Sequence, residues 1–181
     1  MTNRLAPLTE PFPEEIAAIL DHYPKIDGYT LSLFRTFANS QRFMEKCVMN
    51  LLDDQSPLSL RQREIVILRT CANLRCEYEW GVHVAVFGDA AGFSDEQIAS
   101  TIGVAPPAKL WNDEERLLLG IVDDLCAYGA PDSSRLWAFE EAFSKARQLE
   151  ILALVGNYHT ISFVAKTASL EPEVFAARFP G

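Results

Sequence analysis

The sequence predicts an all-α protein, a helical bundle centred on an antiparallel helical hairpin. Apolar residues recur at helical spacing through most of its 181 residues. Cap residues such as Ser59 and Asn112 stand directly before these apolar runs. The sequence shows neither convincing strand alternation nor a hairpin turn of the Asn-Gly type. The connections between the predicted helices are short, as is typical of a bundle.

Caps and stops give the expected helices in chain order. Ser59 is a plausible N-cap, Ser94 opens a capping box, and Gly92 is a typical C-terminal stop. Residues 1–29 are rich in proline and are interpreted as an N-terminal arm with one short helix, and 30–181 as a single all-α domain. The predicted helices cover residues 14–22, 30–52 with a break near 39–40, 59–73, 77–91, 94–102, 112–128, 133–144, 147–168 and a short stretch from 171.

The composition argues against two classes of partner. Lys and Arg total 16 against 25 Asp and Glu, a net charge of −9, so the chain has no general attraction to nucleic acid phosphates. Its longest apolar stretches are too short to span a bilayer, and its N-terminus lacks the apolar segment of a signal peptide. We therefore expect a cytoplasmic protein with neither a nucleic-acid nor a membrane partner.

The four cysteines are expected to be free thiols in a reducing compartment. Cys47 and Cys126 stand among helical apolar residues and are expected in the core. Cys71 and Cys76 flank the turn between two predicted helices, so a redox pair is one alternative for them. Cysteines on two helices across a turn, however, often miss disulfide geometry.

Four residues of the hairpin form the candidate site. In a helix of 100° per residue, Cys76 and His83 differ by about 20° and Glu79 lies about 60° from Cys76, so all three share one face. Asn73 is a common helix terminator, and a fold at that point sets Glu64 opposite His83. A buried carboxylate beside a histidine orients the imidazole and raises its basicity. The spacing therefore predicts a Glu64–His83 proton relay, with Glu79 as a second proton carrier.

Cys76 lies at or near the start of its helix, where the helix dipole favours a thiolate. Glu77 and Glu79 place negative charge nearby and act in the opposite direction. No CxxC, HxxxH or ExxH spacing is present, which disfavours a metal site, and we expect neither a metal nor an organic cofactor.

One internal similarity stands out. Residues 61–68 and 147–154 both read Arg-Gln-x-Glu-Ile-apolar-x-Leu. Either two amphipathic helices look alike, or the chain contains a structural duplication. If it is a duplication, the second copy has lost the chemistry of the first. At the same offset three residues differ: Cys71 becomes Asn157, Cys76 becomes Ser162 and His83 becomes Ser169.

With these residues in hand, the chain resembles the carboxymuconolactone decarboxylase superfamily, which includes alkylhydroperoxidase D (AhpD). Glu64 followed by Cys76-Glu-Tyr-Glu-Trp-x-x-His83 resembles members with a "YEW…H" helix. Residues 92–98 resemble the "GLSDEEI" connector, and 156–159 resemble a Tyr-His element of the last long helix. The resemblance covers roughly residues 30 to 170 and assigns no role to Tyr158 or His159.

The resemblance implies an all-α fold built on a helical hairpin and a homo-oligomer, whether dimer, trimer or hexamer. In the peroxidase branch the motif is Glu, Cys-x-x-Cys and His. Glu64 matches the relay glutamate, Cys76 the first cysteine and His83 the histidine, while Glu79 replaces the second cysteine. A one-cysteine cycle through Cys76 and an external thiol is then the available peroxidase chemistry.

The decarboxylase branch acts on a carboxylated lactone without metal or organic cofactor, through acid–base groups. Such a substrate calls for a cationic anchor, for which Arg69 and Arg75 are the candidates.

Three hypotheses follow for the hairpin. The first is a cofactor-free enzyme on a small molecule with a Glu/His proton relay. The second is a hydroperoxide-reducing thiol enzyme that uses Cys76. The third is a non-catalytic oligomeric scaffold in which Glu64, Glu79 and His83 form a buried polar cluster that fixes helix packing.

Overall fold

The computed structural model describes residues 4–47 and 50–180. Within them it is an all-α bundle with one two-stranded antiparallel sheet, which confirms the predicted fold class. Residues 48–49 of the predicted 30–52 segment lie outside the described residues. The elements are α1 (Glu14–Leu20), β1 (Lys25–Ile26), β2 (Tyr29–Thr30), α2 (Ser32–Phe37), α3 (Gln41–Lys46), α4 (Leu60–Asn73), α5 (Glu77–Phe87), α6 (Asp95–Ser100), a 3₁₀ turn (Ala108–Leu110), α7 (Asp113–Tyr128), α8 (Ser133–Ala142) and α9 (Lys145–Thr167).

The predicted caps fix the helix starts. Ser59, Ser94 and Asn112 each accept a hydrogen bond from the backbone N–H three residues on, and each forms a full capping box. Ser40 caps α3, which confirms the expected break after α2. Gly129 ends α7 with φ of +78°, a conformation that favours glycine.

Two predictions were wrong, one near the start of the chain and one near its end. A tight hairpin joins β1 to β2, and Asp27 and Gly28 hold φ of +50° and +80°, as in the paired left-handed residues of a type I′ turn. Each strand has only two residues, which is too short to show the alternation of apolar and polar residues that predicts a strand. The stretch from residue 171 is also not helical. Its Ala177 N–H donates to the carbonyl of Gly81, so this segment lies across α5.

Helix α4 is the centre of the bundle and packs against α5, α7 and α9. Its residues 65–68 are fully buried, and burying each such aliphatic side chain contributes about 1.5–3 kcal/mol. Because the helix is covered on all sides, its polar residues are buried with it, Glu64 among them.

Helix α1 contributes Ile16 and Leu20 to the same core. The expected burial of two cysteines was wrong in one case and partial in the other: Cys47, just past the end of α3, is exposed, and Cys126 is half-buried. No helix in the described part of the chain is long and apolar enough to cross a membrane.

Candidate functional site

The turn between α4 and α5 is a Schellman motif, a common way of ending a helix. The N–H of Cys76 donates to the carbonyl of Cys71 over 2.8 Å, and the N–H of Arg75 donates to that of Ala72 over 2.9 Å. Arg75 holds φ of +52° at the position that glycine often takes. The chain thus reverses just after Asn73, where the sequence predicted the turn, and α5 packs back on α4.

The expected contact between Glu64 and His83 is present. Glu64 Oε2 lies 2.8 Å from His83 Nδ1, and both side chains are buried. On the other side of the ring, the Tyr158 hydroxyl lies 2.9 Å from Nε2. Glu79 Oε1 lies 3.5 Å from the same Nε2. The imidazole is therefore enclosed by two carboxylates and a phenol from three different helices.

The two carboxylates decide the charge of His83. Burial by itself lowers the pKa of an imidazole, but the negative charges and hydrogen bonds of Glu64 and Glu79 outweigh it and raise the pKa of His83 to about 10. Burial and the same carboxylates raise the pKa of Tyr158 well above its usual range. At neutral pH the site thus holds an imidazolium beside a protonated phenol, and both can donate a proton.

Two carboxylate oxygens of the site have no hydrogen-bond partner among the described residues. They are Glu64 Oε1 and Glu79 Oε2, and both are buried. Most buried polar atoms in proteins are paired, and an unpaired one is costly. Each of these oxygens therefore keeps the capacity to accept a proton or a hydrogen bond.

Cys76 is the N-cap residue of α5, and the structure decides between the opposing effects on its thiol. Burial raises the pKa of Cys76 and exceeds the lowering effects of the Glu79 N–H and the Ser162 hydroxyl. Burial likewise raises the pKa of Cys71. Both thiols are therefore protonated at neutral pH, and the helix terminus does not make Cys76 a thiolate.

A surface cavity of about 170 Å³ opens beside the start of α5 and the end of α9. Arg75, Cys76 and Lys166 line it, whereas His83 lies deeper and does not. The cavity is therefore lined by two cations, the carboxylate residue Glu77 and a buried cysteine, next to the buried site.

Of the two candidate cationic anchors, Arg69 is ruled out by its contacts. Its guanidinium holds both carboxylate oxygens of Asp123, at 2.6 and 2.9 Å. It also donates to the carbonyls of Thr101 and Gly103. Arg69 thus ties α4 to its neighbours, and Arg75 is the candidate that faces the cavity.

The structure brings Glu64, Glu79 and His83 into contact and places Cys76 near them, at the mouth of the cavity. Their catalytic role stays a prediction. Sequence reasoning assigned no role to Tyr158, although the Tyr-His element of α9 was the signal that pointed to it.

The second residue of that element turns away from the site. His159 Nδ1 pairs with the carbonyl of Val155, and its ring stacks edge-on against Phe163. Within residues 4–47 and 50–180, no group of three or more His, Cys, Asp or Glu side chains could hold a metal ion.

Residues 38–123 match the model of the carboxymuconolactone decarboxylase family. The chain is similar to a protein of unknown function from Agrobacterium tumefaciens, named as a candidate antioxidant defence protein AhpD. That likeness has a TM-score of 0.60 at 25% identity and covers 66% of this chain and 82% of that one. None of the curated proteins matches the chain in sequence.

Two further solved structures share the fold over nearly the whole chain. An uncharacterised peroxidase-related protein from Silicibacter sp. TM1040 has a TM-score of 0.79 at 16% identity and covers 99% of this chain and 100% of its own. The debrominase Bmp8, in its apo form, has a TM-score of 0.72 at 12% identity, with 97% and 95% covered. At these identities the likeness concerns the fold alone.

Proposed function

We propose that this protein is a cofactor-free enzyme that transfers protons to and from a small molecule. The match of residues 38–123 to the carboxymuconolactone decarboxylase family model and the AhpD-like all-α fold support this proposal. The observation that carries the proposal is the enclosed imidazolium of His83. Glu64 holds its Nδ1, and its Nε2 faces Tyr158 and Glu79. The protein is proposed to act in the cytoplasm.

The roles follow from the protonation states. His83 is the general acid, and Tyr158 is the hydroxyl through which its proton passes. Glu64 orients the imidazole and keeps it charged. Glu79 has one buried oxygen without a partner among the described residues and serves as the second proton carrier.

The family name suggests a carboxylated lactone as the substrate class. In a decarboxylation the bond to the carboxylate breaks, CO₂ leaves, and the electron pair stays on the lactone. A proton from the His83 imidazolium then reaches the lactone carbon. Two basic residues, Arg75 and Lys166, line the cavity against one acidic residue, Glu77, and this excess of positive charge suits the entry of an anion.

A second candidate function is favoured by a separate observation. Cys76 lines the cavity, whereas His83 does not. This supports a thiol enzyme that reduces hydroperoxides through Cys76. The raised pKa of that thiol makes it the less favoured of the two.

The test measures CO₂ release from carboxymuconolactone, and in parallel the consumption of an organic hydroperoxide. His83→Gln is expected to lose at least about a hundredfold of the decarboxylase rate, as is typical for a general acid. His159→Gln is the matched control, because that histidine pairs with a backbone carbonyl on the same helix as Tyr158. Tyr158→Phe gives a milder variant if His83→Gln fails to fold.

Each hypothesis has its own outcome. If Cys76→Ser abolishes peroxide consumption while His83→Gln retains the lactone reaction, the thiol enzyme replaces the acid–base enzyme. If neither reaction occurs with the folded wild type, the non-catalytic scaffold is favoured, in which Glu64, Glu79 and His83 only fix helix packing.

The proposal includes a homo-oligomer. Leu149 and Phe163 lie on the same side of α9 and are 68% and 60% exposed, and an exposed apolar face is typical of a subunit contact. Light scattering after gel filtration gives the subunit number, and Phe163→Lys is expected to lower it. A monomeric wild type would contradict this part of the proposal.

A further inference from the structure

Two buried thiols next to the site take no part in the proposed proton transfer. Cys71 lies in the last turn of α4 and Cys76 at the start of α5. The 2.8 Å hydrogen bond from the Cys76 N–H to the Cys71 carbonyl closes the turn between them. The backbone thus draws two cysteines together that are five positions apart in the sequence.

A third residue joins them from α9. Burial raises the pKa of both thiols, the Ser162 hydroxyl lowers it, and Cys76 raises the pKa of Cys71 further. The three side chains are therefore near neighbours. Ser162 Oγ is buried and has no hydrogen-bond partner of normal geometry among the described residues. We refer to Cys71, Cys76 and Ser162 as the thiol cluster.

We infer that Cys71 and Cys76 form a dithiol–disulfide couple that exchanges with small-molecule disulfides at the cavity that Cys76 lines. This goes beyond the proposed acid–base function, because neither Glu64 nor His83 takes part in it. The replacement of the family's second cysteine by Glu79 leaves Cys71 as the sulfur nearest in sequence to Cys76.

The exchange proceeds in two balanced steps. The Cys76 thiol loses its proton, and its sulfur attacks one sulfur of the small disulfide, whose S–S bond breaks. The leaving thiolate takes up a proton, which leaves a mixed disulfide on Cys76. Cys71 then loses its proton and attacks the Cys76 sulfur, and the second small thiol leaves protonated. The protein dithiol is oxidised by two electrons, and one small disulfide is reduced to two thiols.

The positions of the two thiols determine which one attacks first, and their burial determines how strongly the disulfide form is favoured. Cys76 lines the cavity and reacts first, whereas Cys71 does not line it and resolves the mixed disulfide. Because burial raises the pKa of both thiols, the reduced form gains no thiolate stabilisation, and the disulfide is favoured relative to a low-pKa couple. For the same reason the exchange is expected to accelerate as pH rises above neutral.

The other cysteines are placed differently. Cys47 follows α3 and is exposed. Cys126 lies on α7, where burial raises the pKa of its thiol to about 11, with a smaller lowering effect from Asn73 and a raising effect from Asp123. Cys126 therefore supplies a matched control for a partly buried thiol outside the thiol cluster.

The experiment equilibrates the wild-type protein in buffers of reduced and oxidised glutathione, quenches with acid, alkylates free thiols and digests with trypsin. Cleavage after Arg69, Arg75 and Lys109 puts Cys71 in peptide 70–75 and Cys76 in peptide 76–109. We expect these two peptides to appear joined by a disulfide in oxidising buffer and separate in excess dithiothreitol. Absence of the joined pair at every glutathione ratio, or a pair that contains Cys47 or Cys126 instead, would overturn the inference.

Variants separate the two steps. Cys71→Ser is expected to keep glutathione on Cys76 and to release the second glutathione at least about tenfold more slowly. Cys126→Ser should form the joined pair as the wild type does. A Cys71→Ser protein that releases the second glutathione at the wild-type rate would also overturn the inference. His83→Gln is expected to leave the joined pair unchanged, so this inference and the proton relay can fail separately.

Discussion

Helices α4 and α9 share an eight-residue pattern, yet they occupy opposite kinds of place in the molecule. Residues 61–68 begin α4, whose middle is buried on every side. Residues 147–154 begin α9, which alternates buried and exposed positions and leaves Leu149 open to solvent. The pattern itself predicts only that each segment is an amphipathic helix. In the structure a serine caps the start of each helix, Ser59 in α4 and Ser144 in α9.

The glutamates at equivalent positions show what the surroundings add. Glu64 is 1% exposed and holds His83, whereas Glu150 is half-buried and accepts a hydrogen bond from the Ser56 hydroxyl over 2.9 Å. The same residue in the same local sequence is a charged member of a buried cluster in one helix and a loop anchor in the other. The local sequence pattern predicts that a helix forms, whereas the burial and partners of its side chains depend on the elements that pack against it.

Helix α9, which would be the second copy, contributes side chains next to the site. Tyr158 on α9 contacts His83, and Ser162 lies beside the two thiols of the hairpin. Ser169 follows the end of α9 with φ of +53° and lines the cavity together with Cys76. Helix α9 supplies the opposite wall of the site, whether or not the two helices share an origin.

The largest expected effect separates the two glutamates by stability. Glu64→Gln removes the main partner of a buried imidazolium, and breaking a buried ion pair costs about 3–5 kcal/mol. Glu150→Gln keeps an acceptor for Ser56 and is expected to cost less than about 1 kcal/mol. Guanidinium unfolding at pH 7 measures both. Equal losses would mean that the two helices are energetically alike despite their different burial.

The pH dependence of stability sharpens the same contrast. The pKa of His83 is raised from 6.5 to about 10 in the folded chain, so the protonated ring stabilises the fold below pH 6.5. That contribution is lost as pH rises from 6.5 through about 10. Because a pKa difference of one corresponds to about 1.4 kcal/mol, the loss is several kcal/mol. Unfolding free energies at pH 6.5, 8 and 9.5 should fall for the wild type.

The control for this prediction is His83→Gln, whose stability should change much less over the same range. Glu150→Gln should follow the wild-type slope, since Glu150 contacts Ser56 and not the imidazole. A wild-type stability that is flat between pH 6.5 and 9.5 would contradict a charged His83.

Much of this contrast could be predicted from the sequence. Periodicity and caps gave the fold class, because both are local and Ser59, Ser94 and Asn112 act within one turn of their helices. The Glu64–His83 contact was predictable because the hairpin is short and its turn falls beside Asn73.

The features that could not be predicted from the sequence depend on contacts between distant segments. Tyr158 and His159 are neighbours, and only the rotation of α9 against α4 and α5 decides which of them meets His83. The C-terminal segment forms no helix because it is held against α5 through contacts such as Ala177 to Gly81. The direction of the Cys76 pKa shift likewise required its burial, which α9 helps to complete.

A smaller effect distinguishes the two neighbours on α9. Tyr158→Phe removes the hydroxyl at His83 Nε2 and is expected to cost about 1–2 kcal/mol, because a buried ring nitrogen loses its closest partner. His159→Gln alters a half-buried ring that bonds only locally, to Val155, and should stay within about 0.5 kcal/mol. Unfolding curves for both variants provide the measurement. A larger loss for His159→Gln would reverse the assignment of the Tyr-His element.

A small effect on stability is also expected at Ser162, the residue that takes the place of Cys76 in the second copy. Its hydroxyl is buried without a partner of normal geometry among the described residues, so Ser162→Ala removes no well-formed hydrogen bond and is expected to change stability by less than about 1 kcal/mol. The thiol should respond nonetheless. Since the hydroxyl lowers the pKa of Cys76 against burial, its removal raises that pKa further and leaves less thiolate. Alkylation of Cys76 by iodoacetamide at pH 8, followed in peptide 76–109, should therefore slow in Ser162→Ala while alkylation of Cys126 keeps its rate. Faster alkylation of Cys76 would show instead that Ser162 shields the thiol, and α9 would then be a cover over the hairpin and not a contributor to its chemistry.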